Sequence, residues 1–501
     1  MVQGTASSAG KSVLVTALCR ILRQDGYRVA PFKSQNMALN SYVSADGGEL
    51  GRSQAVQAEA AGAEMSVHMN PILLKPESDA RCQVVLRGRP YMTLSAGEYY
   101  DFKDTLWPVV LESLAWLRER YDVLVIEGAG SPAEVNLKES DIVNMRVAKA
   151  ARSPVLLVAD IDRGGVFASL VGTLDLLEPE ERALVKALVI NKFRGDVALL
   201  KPGLTFLEER TGLPVAGVIP YVRDLGIADE DSVSLEGSEW RGRRHGVLRV
   251  AVIRLPHIAN FDDFDSLRAE PEVDLRLVER PEELDRPDLI VMPGTKTTIA
   301  DLEHLRRVGL AKVVLALARE GVTVLGICGG YQMLGRRLLD PLHVESAIEE
   351  SEGLGLLPVE TAFEPEKSTQ RVKGSVLPVP GLLSLAADEE VEGYEIHMGR
   401  SRVEGSAAVA IRERAGQAVM SQDGAVSTDG LVVGTYLHGF LDRPALRRRV
   451  LEWLAERRGA RLLQQAPAFD RERAYDRLAD VVRRSLDMRL VYDLLAQEVR
   501  P

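Results

Sequence analysis

Long hydrophobic runs, paired cysteines and an excess of basic charge are all missing from this 501-residue sequence. No apolar run approaches the roughly 18 residues that a membrane-spanning helix needs, so we expect no membrane partner. The three cysteines form no Cys-x-x-Cys pair, and no basic segment followed by an apolar one opens the chain, which favours a reducing, cytoplasmic location. The net charge of −11 argues against broad nucleic-acid binding. The oligomeric state stays open.

The feature with the clearest chemical meaning is a cysteine between glycines, inside an apolar run. Residues 326–330 read Gly-Ile-Cys-Gly-Gly, and apolar residues at helical spacing follow them. This pattern predicts a strand, a sharp turn and a helix, with Cys328 on the turn as a nucleophile and the helix dipole favouring its thiolate. Glycines suit such a turn because they tolerate positive φ. The alternative is a buried cysteine of an α/β core, but the glycine setting favours a nucleophile.

A thiolate nucleophile needs a partner that transfers protons, and the sequence contains seven histidines. His438 follows a strand-like run and is the preferred candidate, with His397 as its rival. For either residue, an ordinary structural histidine is the alternative. The backbone N–H groups of Gly329 and of the Pro-Gly-Thr turn at Gly294 are predicted to form an oxyanion hole.

A glycine-rich stretch near the first residue has the composition of a phosphate-binding loop. Residues 3–12 read Gln-Gly-Thr-Ala-Ser-Ser-Ala-Gly-Lys-Ser and lead into apolar residues at helical spacing. In such a loop the backbone N–H groups surround phosphate oxygens, the lysine reaches the β- and γ-phosphates, and the following hydroxyl binds Mg²⁺. A chance Gly-Lys-Ser turn is the alternative, and the strand before the loop is unusually short. The loop residues predicted to bind ATP are Gly4, Thr5, Gly10, Lys11 and Ser12.

Polar residues elsewhere extend this predicted nucleotide site. Glu127 follows a buried strand, as the acid of a Walker-B site does, and is the predicted Mg²⁺ ligand together with Ser12, with a helix-capping acid as the alternative. Lys33 and Asp46 lie in polar stretches without clear periodicity. We expect a phosphate contact for Lys33 and a metal-binding or substrate-orienting role for Asp46, with a solvated loop as the alternative. Asp141 is expected near the same sheet edge, close to the metal or the substrate.

Asn191 is the remaining predicted ATP contact. It opens an Asn-Lys-Phe-Arg sequence, which is close to the guanine-reading Asn-Lys-x-Asp of GTPases. Arg194 stands where that motif has its aspartate. The sequence therefore favours adenine over guanine.

Strand patterns alternate with helical patterns in two parts of the chain, which predicts an α/β protein with two doubly wound, mostly parallel sheet domains. The first domain is predicted at residues 1–223 and the second at 247–443. An acidic and then arginine-rich linker is predicted at 224–246, and a helical C-terminal segment at 444–501. Residues 260–265, which read Asn-Phe-Asp-Asp-Phe-Asp, are expected to form an interface or a capped turn rather than a metal site.

The cysteine motif Gly-Ile-Cys-Gly-Gly-Tyr-Gln, together with His438, resembles the class I, triad-type glutamine amidotransferase domains, which hydrolyse glutamine to release ammonia. In those domains an acid two residues after the histidine usually completes the triad. Here that position is Phe440, and Asp442 is displaced. The resemblance therefore implies a dyad of Cys328 and His438, which is typical of the cobyrinic-acid-amidase branch.

The N-terminal half is similar to P-loop proteins of the dethiobiotin-synthetase branch, whose longer phosphate loop also opens with Gly-Thr. Three further motifs are Lys-Ser-Gln-Asn-Met-Ala-Leu-Asn at 33–40, Glu-Gly-Ala-Gly-Ser-Pro-Ala-Glu at 127–134 and Asp-Ile-Asp-Arg-Gly-Gly at 160–165. With them the chain, from Gly4 to about Asp442, resembles the cobyric acid synthase family. The Lys-Ser-Gln-Asn-Met part of the first motif is the most specific, since phosphate loops and cysteine turns also occur elsewhere.

This resemblance implies an enzyme that uses ATP, Mg²⁺ and L-glutamine to amidate a corrinoid through an acyl phosphate. The implied substrate is adenosylcobyrinic acid a,c-diamide, amidated at its b, d, e and g carboxylates. The alternatives are a related enzyme that amidates the a and c groups, another ATP-dependent glutamine amidotransferase, or a non-enzymatic P-loop regulator. The intact Cys328 and His438 count against the regulator.

Overall fold

Strands are distributed along almost the whole chain. The computed structural model describes residues 1–78, 81–222, 240, 246–462 and 470–496. The strands of these residues, in chain order, are β1 (Val2–Gly4), β2 (Val29–Phe32), β3 (Gln35–Met37), β4 (Ser41–Val43), β5 (Glu49–Gly51), β6 (Ile72–Ser78), β7 (Arg81–Leu86), β8 (Arg89–Ser95), β9 (Val123–Ile126), β10 (Val155–Asp160), β11 (Val185–Phe193), β12 (Val215–Pro220), β13 (Leu248–Ile253), β14 (Val273–Val278), β15 (Leu289–Met292), β16 (Thr323–Ile327), β17 (Arg337–Leu339), β18 (Glu350–Glu352), β19 (Val359–Val376), β20 (Glu390–Val403), β21 (Val409–Arg414), β22 (Gln417–Asp423), β23 (Ala425–Val426) and β24 (Val432–Thr435).

Helices connect many of these strands. The α-helices of the described residues are α1 (Lys11–Gln24), α2 (Arg52–Ala61), α3 (Ala96–Phe102), α4 (Trp107–Arg118), α5 (Met145–Ala151), α6 (Val166–Asp175), α7 (Pro179–Arg182), α8 (Val197–Thr211), α9 (Asp265–Ala269), α10 (Thr298–Val308), α11 (Leu310–Arg319), α12 (Gly329–Leu334), α13 (Pro444–Arg458), α14 (Arg471–Ser485) and α15 (Met488–Ala496). Within the described ranges, no helix has both the length and the apolar character needed to cross a bilayer.

The chain divides into two units, and each is assembled from segments that are distant in sequence. Among the described residues, the first unit comprises 1–38, 50–222 and 470–496. The second unit comprises 39–49, 240 and 246–462.

The first unit is built on parallel strands. β1, β10, β11 and β12 lie side by side in that order, and β2 pairs with β9. The N–H of Gly128 donates to the carbonyl oxygen of Val2 at 2.9 Å, beside a parallel bridge between Val2 and Glu127, which joins β9 to β1. The order is therefore β2-β9-β1-β10-β11-β12, and the doubly wound architecture predicted for this part of the chain is confirmed. In such sheets ligands bind at the carboxyl ends of the strands.

A smaller sheet of the first unit did not emerge from the sequence. β3 pairs in parallel with β6, and β6, β7 and β8 follow as antiparallel neighbours. The sequence predicts a polar loop in the region of β3, β4 and β5, because strands of three residues are too short to show an alternating pattern.

The second unit contains the other parallel sheet. Its strands lie in the order β14-β13-β15-β16-β24-β23, and all pairs are parallel except the edge pair of β23 with β24. β15 and β16 are buried along their whole length, as expected for strands covered on both faces. The second predicted α/β domain is confirmed.

A mostly antiparallel sheet accompanies it in the same unit. β19 and β20 form a long antiparallel pair, and β19 also pairs with β17 and β21. β20 is linked to the segment after β24 by an antiparallel bridge between Tyr394 and His438. This bridge brings β20 to the side of the candidate histidine.

The helical segment predicted at 444–501 is split between the two units. α13 buries Leu446, Val450 and Leu454 in the core of the second unit. α14 packs on α1 of the first unit, where Arg20 pairs with Glu472 and Asp476 at 2.7 Å each. Helical periodicity reveals an apolar face but not the partner that covers it, so the sequence could not show this division.

The predicted linker and the first predicted domain can each be compared with the two units. Of the predicted linker at 224–246, residues 224–239 and 241–245 lie outside the described residues. Trp240 is described, is buried, and packs edge-to-face on Phe261 with ring centroids 6.1 Å apart. Residues 39–49, predicted to lie in the first domain, belong to the second unit.

Candidate functional site

Cys328 lies on the turn between β16 and α12. Its backbone has φ 51° and ψ −111°, a region that residues other than glycine rarely occupy and that is often found at functional sites. Its N–H donates to the carbonyl oxygen of Thr435 at 2.8 Å. A Cβ at Gly330 would lie 2.0 Å from the carbonyl oxygen of Met292, so only glycine fits there. The neighbouring strands therefore hold the turn in its strained form.

The sulfur of Cys328 is buried and faces two groups of the same unit. Sγ lies 3.4 Å from the carbonyl oxygen of Ile396, and the sulfur is close enough to His438 to help raise the pKa of that histidine. The structure thus brings together the two residues that the sequence singled out for catalysis. Burial raises the pKa of the Cys19 and Cys82 thiols, which disfavours their reactive thiolate forms.

Asp263 completes the arrangement at His438. Its Oδ2 lies 2.7 Å from Nδ1 of His438, and its Oδ1 accepts the N–H of Gly439 at 2.7 Å. Burial alone would lower the pKa of His438, but the Asp263 carboxylate and the Cys328 sulfur outweigh it and raise that pKa to about 10. Cys328, His438 and Asp263 are called the catalytic triad below, and the raised pKa favours the imidazolium form of His438.

Asp263 adds a carboxylate that the sequence did not single out. The sequence implied a Cys-His dyad, and it suggested an interface or a capped turn at residues 260–265. Asp263 lies in the short 3₁₀ turn Phe261–Phe264 after β13, with both phenylalanines buried as anchors. It precedes His438 by 175 residues and is one of three aspartates in the turn region, so motif spacing gave no signal for it.

His397, the rival histidine, has a structural environment. Its Nδ1 lies 2.8 Å from the carbonyl oxygen of Gly399, and its ring stacks on Tyr436 with centroids 3.8 Å apart. Burial lowers the pKa of His397 to about 3, so the imidazole is neutral and donates its Nδ1–H to that carbonyl.

The two predicted oxyanion-hole glycines lie beside the triad and its neighbours. A Cβ at Gly294 would come within 2.9 Å of Cε1 of His438, and a Cβ at Gly329 within 2.7 Å of Cγ2 of Thr295. Side chains at these positions would collide with the walls of the site. That the two N–H groups stabilise an oxyanion stays a prediction.

A row of hydrogen-bonded polar groups, which the sequence did not single out, includes Gln332 of α12. Thr298 Oγ1 donates to Oε1 of Gln332 at 2.9 Å, and Nε2 of Gln332 donates to Oη of Tyr436 at 3.2 Å. Ser401 Oγ lies 2.7 Å from the same Oη. These hydrogen bonds fix Gln332 one helical turn after Cys328. In the sequence, Gln332 was marked only as the last residue of the Gly-Gly-Tyr-Gln motif.

The predicted phosphate loop joins β1 to α1 in the first unit. β1 has only three residues, yet all of them pair in parallel with β10. The N–H of Thr5 donates to the carbonyl oxygen of Val158 at 2.9 Å. Gly10 has a positive φ of 92°, and a Cβ there would lie 2.0 Å from Nδ2 of Asn191. The loop therefore requires glycine at the point where it enters α1.

Lys11 and Asn191 both contact the backbone of this region. Nζ of Lys11 donates to the carbonyl oxygens of Ala6 at 2.9 Å and Gly130 at 3.1 Å. Nδ2 of Asn191 donates to the carbonyl oxygen of Ala9 at 2.9 Å. Asn191 thus supports the phosphate loop, and its role in reading adenine stays a prediction.

Glu127 is the centre of the polar contacts beside the loop. Its Oε1 accepts hydrogen bonds from Oγ of Ser12 at 3.0 Å and from Nζ of Lys33 at 2.8 Å, and its Oε2 accepts one from Nε2 of Gln57 at 2.5 Å. Both side chains of the Lys33 and Glu127 pair are buried, so each compensates the charge of the other. Gln57 was not expected from the sequence. The structure brings together Ser12, Lys33 and Glu127, three predicted ligand contacts.

The donor set of Ser12 and Glu127 fits Mg²⁺. Hydroxyl and carboxylate oxygens are ligands that Mg²⁺ accepts, and it commonly takes one or two protein ligands together with phosphate oxygens. In the part of the chain that the structure describes, no group of three or more His, Cys, Asp or Glu side chains is arranged to hold a metal.

Asp46 and Asp141 each stabilise a local turn. Asp46 belongs to the second unit and accepts a hydrogen bond from the Ser44 hydroxyl between β4 and β5. Oδ1 of Asp141 accepts the N–H groups of Val143 at 2.8 Å and Asn144 at 2.9 Å, just before α5. The metal role of Asp46 and the substrate role of Asp141 stay predictions.

Comparison with known proteins gives matches over both units. Residues 1–235 match the CobQ/CobB/MinD/ParA nucleotide binding domain, and residues 249–446 match the CobB/CobQ-like glutamine amidotransferase domain.

Longer matches extend over nearly the full chain. Cobyric acid synthase of Dehalococcoides mccartyi (strain CBDB1) is 53% identical over 502 residues, which covers 100% of this chain and 99% of the relative. Cobyric acid synthase of Sorangium cellulosum (strain So ce56) is 56% identical over 98% of this chain and 97% of its own length. The Yersinia enterocolitica protein of the same name (serotype O:8 / biotype 1B, strain NCTC 13174 / 8081) is 51% identical over 99% and 98%. Because such identity extends over nearly the whole length of each pair, this chain belongs to the cobyric acid synthase family.

Proposed function

We propose that this chain is a cytoplasmic ligase that converts corrinoid carboxylates to carboxamides, with ATP as the energy source and glutamine as the nitrogen donor. The substrate is adenosylcobyrinic acid a,c-diamide, amidated at its b, d, e and g groups to give adenosylcobyric acid. The observation that carries the proposal is full-length identity above one half to cobyric acid synthases. The neighbouring Cys328 and His438 and the contact of Ser12 with Glu127 supply the chemistry.

The glutaminase half follows from the triad. The Cys328 thiolate attacks the side-chain amide carbon of glutamine, and the amide nitrogen takes the proton of His438 and leaves as ammonia. A water molecule then attacks the thioester while His438 accepts its proton, and glutamate leaves with the thiolate restored. Asp263 holds the Nδ1–H of His438, which leaves Nε2 for the sulfur and the leaving group.

The synthetase half rests on the phosphate loop and Glu127. Residues 4–11 would hold the phosphates of ATP, and Ser12 and Glu127 would hold Mg²⁺. When bound, the nucleotide supplies the phosphoryl group that turns a carboxylate oxygen into a phosphate leaving group, which ammonia then displaces. Lys33 balances the buried charge of Glu127 and keeps a positive charge beside the loop.

Two alternatives have specific observations against them. An enzyme that amidates the a and c groups would have the same two domains, but the Lys-Ser-Gln-Asn-Met motif that begins at Lys33 favours the b, d, e and g amidase. A non-enzymatic P-loop regulator would not need a cysteine beside a histidine that is hydrogen-bonded to a buried carboxylate.

The test compares the wild type with Cys328→Ala in the presence of ATP, Mg²⁺ and adenosylcobyrinic acid a,c-diamide. We expect the wild type to use glutamine or ammonia, and Cys328→Ala to amidate only with ammonia. The mass change of the corrinoid counts the carboxyl groups converted. Cys82→Ala controls for loss of a thiol outside the triad and should retain both reactions. An unchanged corrinoid mass with either nitrogen source would overturn the assignment.

A further inference from the structure

Three consecutive residues near the start of the chain contact the surroundings of the catalytic triad. Asn40, Ser41 and Tyr42 lie in the segment 39–49, which belongs to the second unit. Nothing in the sequence indicated a role for this segment in glutamine hydrolysis, although Asn40 ends the motif at 33–40.

The first contact reaches the turn that carries Asp263. The N–H of Ser41 donates to Oδ1 of Asn260 at 2.8 Å, and the N–H of Phe261 donates to Oδ1 of Asn40 at 3.4 Å. The two asparagines therefore bind each other's chain reciprocally. Asn260 has a positive φ of 54° and opens the turn, and its carbonyl oxygen accepts the N–H of Asp263 at 3.1 Å. These hydrogen bonds therefore fix the start of the turn that carries the Asp263 carboxylate.

The second contact reaches the imidazole from another direction. The ring of Tyr42 meets the ring of Tyr394 edge-on, with centroids 4.6 Å apart. Tyr394 in turn stacks on His438, with centroids 5.2 Å apart and planes inclined by 22°. The backbones of Tyr394 and His438 also exchange two hydrogen bonds, of 2.9 and 3.2 Å. The Tyr42 ring therefore supports the group that packs against the imidazole.

Buried contacts hold the segment in place. Glu49 forms an ion pair with Lys367 at 2.5 Å, with side chains 0% and 7% exposed, and its other oxygen accepts the Ser41 hydroxyl at 2.7 Å. Nε of Arg371 donates to the carbonyl oxygen of Val43 at 2.9 Å. Separating a buried ion pair costs free energy because it leaves a buried charge without its partner. The segment therefore has a defined position.

We propose that Asn40, Ser41 and Tyr42 are positioning residues for glutamine hydrolysis, acting through Asn260 on Asp263 and through Tyr394 on His438. The inference rests on the proposed glutaminase function of the triad. Displacing catalytic groups by about 1 Å lowers a rate by a factor on the order of 100. A segment that holds Asp263 and Tyr394 against His438 should therefore affect the rate of glutamine hydrolysis. The motif 33–40 then has two functions, with Lys33 bound to Glu127 in the first unit and Asn40 bound to the Asp263 turn in the second.

The test uses the full-length variants Asn40→Ala and Tyr42→Ala, with Tyr42→Phe as the variant that keeps the ring. Met420→Ala, at a fully exposed side chain of the second unit, is the neutral control. Three quantities are measured: kcat and KM for glutamate release, the rate at which iodoacetamide alkylates Cys328 in peptide maps, and amidation with ammonia. We expect both alanine variants to lose about ten-fold or more in kcat, with KM within about two-fold.

The same variants should alkylate Cys328 more slowly and amidate with ammonia within about two-fold of the wild type, because the ammonia reaction does not use the triad. Tyr42→Phe should retain most of the glutaminase rate. An unchanged kcat in both alanine variants would overturn the inference. An equal loss of the glutamine and ammonia reactions with a lower Tm would also overturn it, because that pattern indicates general destabilisation. Alkylation of Cys328 needs neither corrinoid nor turnover. Its rate therefore distinguishes a wrong substrate assignment from a wrong positioning role of Asn40 and Tyr42.

Discussion

Nδ1 of His438 and Oδ2 of Asp263 lie 2.7 Å apart although 175 residues separate them in the chain. Both side chains are almost completely buried, so water does not compete for this contact. A carboxylate on one imidazole nitrogen decides which nitrogen faces the sulfur. The pair therefore sets the orientation in which His438 can transfer protons to and from Cys328.

We expect Asp263→Asn to lower kcat for glutamine hydrolysis by a factor on the order of 10² to 10⁴, because an amide can offer an N–H to Nδ1 and favour the wrong tautomer. The measurement is glutamate release under saturating glutamine, with ammonia-supported amidation as the internal reference. Asp442→Asn is the matched control, since Asp442 is the acid nearest to His438 in sequence. A larger loss of kcat in Asp442→Asn than in Asp263→Asn would contradict the role of Asp263 as the third member of the triad.

The same pair makes stability depend on pH. The pKa of His438 is raised in the folded protein from its ordinary value of 6.5 to about 10, so the folded state binds this proton more tightly than the unfolded state. The resulting stabilisation is complete below pH 6.5 and is lost as the pH rises towards 10.

We therefore expect the Tm difference between the wild type and Asp263→Asn to be largest near pH 6 and to shrink as the pH rises. Thermal unfolding at matched ionic strength measures it. A difference that grows with pH would show that the imidazolium is not the stabilised form.

Glu127→Gln tests the first unit. Removing the carboxylate charge takes away the oxygen ligand expected to hold Mg²⁺ and leaves the buried Lys33 without its opposite charge. We expect amidation to fall by about 100-fold or more with either nitrogen source, while glutamate release stays within a few-fold. Glu139→Gln, at an exposed carboxylate of the same unit, is the control and should keep both activities. Full amidation activity of the Glu127→Gln variant would contradict the assignment of Glu127 as a Mg²⁺ ligand.

Leu478→Ala tests whether α14 is part of the first unit in solution. The side chain is 1% exposed, so its truncation should lower the free energy of unfolding by about 2–5 kcal/mol. We expect ammonia-supported amidation to be lost at lower temperature, while the heat stability of glutamate release changes little. Leu495→Ala, at a leucine that is 41% exposed on α15, should shift neither activity measurably. Equal heat sensitivity of both activities would contradict the assignment of α14 to the first unit.

The sequence was informative wherever chemistry is encoded by neighbouring residues. The glycines around Cys328 and the phosphate loop ending in Lys11 are local patterns, and the structure puts both on strand-to-helix turns. The parallel sheets were also predictable, because their buried strands are continuous apolar runs.

Relationships between distant residues left no such pattern. Asp263 looks like any acidic turn residue until the fold brings it to His438, and Gln57 carries no signal for its contact with Glu127. α14 shows an apolar face, but periodicity does not say that α1 covers it.

The return of α14 to the first unit also constrains how the protein is made. α1 ends at Gln24 and α14 begins at Arg471, so a ribosome adds roughly 450 residues between these packed helices. At about 5–20 residues per second, α1 waits roughly 20–90 seconds for α14 while the rest of the first unit and the second unit are being synthesised. During that interval the face of α1 that later meets α14 is available to chaperones, so limiting chaperone capacity should reduce the yield of the ATP-dependent activity first.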